Sequence, residues 1–81
     1  MIEKRTVPRH RVLKRGTLAF SGGGGGMDCT VRNISQTGAR IDIASPIGVP
    51  GVFTLVIEAD HFMRHCRAVW SSEQHIGVAF D

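Results

Sequence analysis

Two stretches of this chain, residues 28–34 (DCTVRNI) and 39–44 (ARIDIA), alternate apolar and polar positions with a period of two, and nowhere does an amphipathic helical period take over. An extended backbone points successive side chains to opposite faces, so such alternation commits the chain to half-buried strands. Cys29, Val31, Ala39, Ile41 and Ile43 then share one face, and Asp28, Thr30, Arg32, Arg40 and Asp42 the other. Residues 12–20, 52–58, 62–70 and 75–80 are further strand runs. Polar or glycine- and proline-rich turns separate them at 21–26, 33–38, 46–51, 59–61 and 71–74, with Gly38 free to take a positive φ. Six short strands with such punctuation predict an all-β fold, a small six-stranded antiparallel barrel whose closure removes exposed sheet edges. The expected inward residues are Leu18, Phe20, Cys29, Val31, Ile41, Ile43, Phe53, Leu55, Ile57, Cys66, Ala68, Ile76, Val78 and Phe80.

At 81 residues the chain is one small domain that buries roughly 60–65% of its unfolded surface, a modest core. Its 42% hydrophobic and 21% charged residues suit a folded soluble domain rather than a disordered one. No apolar run approaches the ~18 residues of a membrane helix and the N-terminus is charged, so the expected compartment is the cytoplasm, with no membrane partner. Reducing surroundings make Cys29 and Cys66 unpaired core thiols.

Charge is distributed unevenly. Residues 1–16 hold Lys4, Arg5, Arg9, Arg11, Lys14 and Arg15 against Glu3, a balance of +5, while the remainder holds four arginines against six acids, a balance of −2. Pro8 removes an amide donor and biases Val7 toward extended geometry, so residues 1–11 are expected to form a basic arm that orders on binding, ahead of a barrel at 12–81. A cationic arm on a mildly acidic body calls for an anionic partner.

Several chemistries are disfavoured. The five glycines at 22–26 are not followed by the Gly-Lys-Ser or Gly-Lys-Thr of a phosphate-binding loop. His61, His65 and Cys66 do not suit one metal ion, because positions four apart on a strand are about 13 Å apart and adjacent positions face opposite ways. No nucleophile–base or paired-carboxylate arrangement is evident, so neither catalysis nor a cofactor is expected. Arginine, by contrast, binds phosphate bidentately, docks on guanine O6 and N7 and stacks on bases.

The order of two motifs adds specificity. Arg5-Thr6-Val7-Pro8-Arg9, an RxxxR element, precedes Asn33-Ile34-Ser35-Gln36-Thr37-Gly38, a (D/N)xSxxG element, and strand-like ARIDI and HIGVAF come after them. Together they resemble the PilZ domain, a bacterial receptor family for the second messenger cyclic di-GMP. The resemblance implies that Arg5 and Arg9 hold guanine edges and phosphates as the arm folds over the ligand. It implies that Asn33 and Ser35 contact a guanine or phosphate, and that Gly38 permits the turn. Lys4, Arg11 and Arg40 are candidate additional contacts. Arg11-Val12-Leu13-Lys14-Arg15 is a second RxxxR match, set aside because Val12 and Leu13 already read as strand.

The implied function is that of a non-catalytic receptor that takes cyclic di-GMP as a self-stacked pair and presents its ordered arm to a downstream protein. Many family members carry a helix after the last strand, and here Asp81 succeeds that strand directly, so the helix is expected to be absent. Two alternatives belong to other classes. One is a barrel for single-stranded nucleic acid, disfavoured by only four phenylalanines and one tryptophan for stacking. The other is a barrel of this kind that serves as a protein adaptor without binding nucleotide.

Overall fold

The computed structural model describes residues 10–21, 25–45 and 47–81. Six strands form in chain order: β1 (His10–Ala19), β2 (Gly26–Ile34), β3 (Gly38–Asp42), β4 (Val52–Ile57), β5 (Phe62–Ser72) and β6 (His75–Phe80), with one 3-10 turn at Glu58–Asp60. They close into an antiparallel barrel in the order β1-β2-β3-β6-β5-β4. The expected all-β six-stranded barrel is the observed fold, and the described residues contain no α-helix. Among them, no helix is long and apolar enough to cross a membrane.

Alternation explains the core. Leu18, Cys29, Val31, Ile41, Ile43, Phe53, Leu55, Ile57, Cys66, Ile76 and Val78 are buried, and Phe20, Ala68 and Phe80 pack partly buried against them, so every expected inward residue faces the core or lines it. The barrel closes where Thr17, Leu18 and Ala19 of β1 pair with Val56, Leu55 and Thr54 of β4. Gly16 sits at this seam, and a Cβ there would come within 3.1 Å of the Val56 carbonyl oxygen.

Strand limits differ from the expected ones in two informative places. β1 begins at His10, two residues before the expected start, because His10 and Arg11 already pair with Ile34 and Asn33. β5 runs on to Ser72, since Ser72 pairs with His75 and leaves a hairpin loop of only Glu73 and Gln74 rather than four turn residues. Backbone donors and acceptors at 71 and 72 are better satisfied in the ladder than in a longer loop.

The ladders are interrupted at three places: between Arg11 and Lys14 of β1, between Val31 and Asn33 of β2, and between Ala68 and Trp70 of β5. Each interruption places an extra residue in one strand and reverses the facing of the residues beyond it. The first two lie on β1 and β2 beside the second motif, and the third lies on β5, three strands from β2 in the closed order.

Candidate functional site

Asn33 anchors the site. Its strand, β2, alternates Cys29 in, Thr30 out, Val31 in, and strict alternation would send Asn33 inward behind Arg32. The bulge at Arg32 prevents this. Val31 pairs with Ile41 and Asn33 with Arg40, so Arg32 is the supernumerary residue and both it and Asn33 face outward.

Residues directly opposite in an antiparallel ladder share a face. From Asn33 the register runs to Arg11 on β1 in one direction. In the other it runs to Arg40 on β3, Gly77 on β6 and Trp70 on β5. At about 4.8 Å per strand this outer row spans roughly 19 Å. Gly77 is needed within it, because the Trp70 indole lies so close over its backbone that a Cβ would collide with the ring nitrogen Nε1. A second row, further along the strands, is Arg15, Thr30, Asp42, His75 and Ser72.

A groove of about 400 Å³ lies across the two rows, lined by Arg11, Val12, Arg32, Asn33, Arg40, Asp42 and His75. Among the described residues three guanidinium groups there face one carboxylate, so the groove favours an anion. Arg40 also lines a smaller depression of about 150 Å³ with Ala39, Val69, Trp70, Gly77 and Val78, which joins an aromatic face to the cationic groove. Asp42 bridges two neighbours: its Oδ1 lies 2.6 Å from His75 Nδ1, and its Oδ2 accepts from Arg32 Nη1 at 3.3 Å.

The motif turn is held by its own serine. Ser35 N donates to the Gly38 carbonyl at 2.8 Å, while Ser35 Oγ accepts from the Thr37 and Gly38 amides, each at 3.2 Å. Those two amides take up the acceptor capacity of the hydroxyl, and its proton has the Gly38 carbonyl or Thr37 Oγ1 within 3.3 Å. Ser35 therefore fixes the turn. Gly38 serves in a different way from the one expected, since its φ is not in the left-handed region. A Cβ there would collide with the Val78 carbonyl oxygen, so glycine is required for β6 to approach β3.

Among the expected site residues, Asn33, Arg11 and Arg40 line one groove, and Ser35 and Gly38 form the turn at the end of its strands. Lys4, Arg5 and Arg9 lie outside the described residues. His10, bonded to Arg9, pairs with Ile34, the residue before Ser35, so the arm joins the barrel beside the motif turn. Arg15, of the other RxxxR match, lines a separate depression with Asp28, Cys29, Thr30, Asp42, Ile43 and Ala44. Arg32, His75 and Trp70 are not among the expected site residues. Trp70 escapes the sequence reading because the expected turn at 71–74 is in fact the two-residue loop Glu73-Gln74, and only that shorter loop sets Trp70 opposite Gly77.

The remaining polar groups serve the scaffold. His65 Nδ1 lies 2.8 Å from Asp81 Oδ2 on the outer surface, while Cys66 is fully buried on the opposite face. The hydrogen bond from His65 holds the Asp81 carboxyl below its usual range. Burial, reinforced by Asp28 and Cys66, pushes the Cys29 thiol up to about 11, and burial also raises Cys66, so neither is a ready thiolate nucleophile. At the arm's end of the barrel, Arg64 lies 4.9 Å from the Phe80 ring centre, and Phe80 tilts against Phe62 at 5.6 Å.

The family model described as PilZ domain matches residues 3–81. No curated protein matches the chain.

Proposed function

The chain belongs to the PilZ domain family, and on that premise we propose that it is a non-catalytic receptor for cyclic di-GMP whose arm orders against the barrel on binding and thereby signals to a partner protein. The observation that carries the proposal is the outer row of Arg11, Asn33, Arg40, Gly77 and Trp70. It supplies cations for phosphodiesters, an amide for a guanine edge and an aromatic face for a base, with Arg40 lining both the cationic groove and the depression beside Trp70. Arg5 and Arg9 are the arm residues that would close over the ligand, with Lys4 adding charge. Arm attachment at His10, beside Ser35, supports this closure.

Arm ordering couples binding to output, because residues that gain structure only with ligand create a surface absent from the free protein. Titration calorimetry with cyclic di-GMP tests the reading. Wild-type protein is expected to bind, and Arg9→Ala to bind at least about tenfold more weakly through loss of charge-assisted contacts. Equal affinity in both proteins, or no binding by wild type, counts against it.

A further inference from the structure

We propose that Arg32 and His75, tied to opposite oxygens of the Asp42 carboxylate, form a second anion-binding edge of the groove, and that His75 contributes to it only after taking up a proton. This rests on the reading of the groove as the seat of cyclic di-GMP and adds the residues and the protonation state that complete it.

The geometry fixes the tautomer. A carboxylate only accepts hydrogen bonds, so the 2.6 Å contact between Asp42 Oδ1 and His75 Nδ1 requires the proton of a neutral ring to sit on Nδ1. The remaining nitrogen, Nε2, is then a bare acceptor with nothing to offer a phosphodiester oxygen. A second proton converts Nε2 into a donor and the ring into a cation. With Oδ1 given to His75 and Oδ2 to Arg32, the one carboxylate in the groove is occupied by its neighbours, and Arg32 keeps further N–H groups free to donate. Asp42 is a positioning residue: at 27% side-chain exposure it is less exposed than Arg32 (52%) or His75 (38%), and it orients both.

The surroundings of the ring favour coupling to an anion. Asp42 from β3 is the acid in direct contact, and Arg32 from β2, Arg40 from β3 and Arg11 from β1 line the same groove. Across the ladder on β5 the partner is uncharged Ser72, and Glu73 stands in the hairpin loop just before β6. In the free protein the charge on a protonated His75 meets the Asp42 carboxylate on one side and the repulsion of three guanidinium groups on the other. A bound phosphodiester adds a second negative charge and offsets that repulsion. Ligand binding and proton uptake on His75 are therefore linked, each strengthening the other.

Calorimetric titration of the whole chain with cyclic di-GMP at about pH 6 and about pH 8, in buffers of different ionisation enthalpy, tests this linkage. Phosphodiesters stay ionised throughout that range. Wild type is expected to bind roughly tenfold more tightly at the lower pH with uptake of up to about one proton. His75→Gln should bind with the same affinity at both values, Asp42→Asn should reduce the pH dependence by releasing the tautomer, and Arg32→Ala should weaken binding at both. His65→Gln should keep the wild-type dependence. Binding by wild type that is insensitive to pH, or a slope that survives in His75→Gln, overturns the inference while leaving the receptor reading intact. Absence of binding at every pH overturns both.

Discussion

The ladder between β4 and β5 runs through six consecutive pairs, from Val52 with Arg67 to Ile57 with Phe62, without a break, whereas the ladders on both sides of β2 are each interrupted once. The unbroken ladder is a plain wall. Phe53, Leu55 and Ile57 point inward, and the alternate residues, including the exposed Met63 opposite Val56, cover the outside, where His65 is paired with Asp81. The interrupted ladders hold Arg11, Arg32, Asn33 and Arg40 together on one outer face. Regular pairing builds a container, and departures from it aim side chains at a common point.

That contrast can be broken. Deleting Arg32 leaves Asn33 facing outward directly after inward Val31 and lets β2 pair with β3 without a bulge, but it sets one step of β2 against the three steps from Arg11 to Lys14 on β1, so the β1–β2 ladder loses its register beyond Val31. A loss of roughly 3 kcal/mol is expected, with a melting midpoint lower by more than about 10 °C. Arg32→Ala keeps the extra residue and should stay within about 1 kcal/mol of wild type. If the deletion melted at the wild-type temperature, the matched interruptions of β1 and β2 would not be what holds that ladder in register.

The Cys29 thiol links the bulged wall to the core and gives a smaller effect. Its folded value of about 11 lies above that of an ordinary thiol, so its contribution is fully present below the ordinary value near 9 and is lost as pH rises toward 11. About 2 to 3 kcal/mol should disappear over that window in urea unfolding. Cys29→Ala should flatten the alkaline slope, and a slope unchanged by that substitution would assign it to other groups. The smallest effect belongs to the plain wall. Met63→Lys should change stability by less than about 0.5 kcal/mol and leave cyclic di-GMP affinity as it was, as thermal melts and calorimetry can check. A weakened affinity there would extend the site around the barrel.

Legibility in the sequence divides along the same line. Phe53, Leu55 and Ile57 lie in an unbroken ladder, and period-two alternation assigns each of them correctly. Asn33 is marked by its motif, yet its outward orientation is illegible, because alternation from Val31 predicts the opposite face. Gly38 is also marked, for a positive φ that it does not use. Its actual constraint, the Val78 carbonyl, comes from a strand 40 residues away in the chain. His75 and Asp42 meet only because β3 and β6 are neighbours in the closed barrel.

By itself the sequence determined strand propensity, the apolar face of each strand, the turns that divide them and the concentration of arginine at one end. These depend on residues within a few positions of one another, where the two-residue repeat of extended backbone is the governing rule. Only the tertiary structure decided which strands are neighbours, where a ladder accommodates an extra residue and which side chains converge across it. Those outcomes arise from closing the sheet on itself, which sets register between segments far apart in the chain and which no local period encodes.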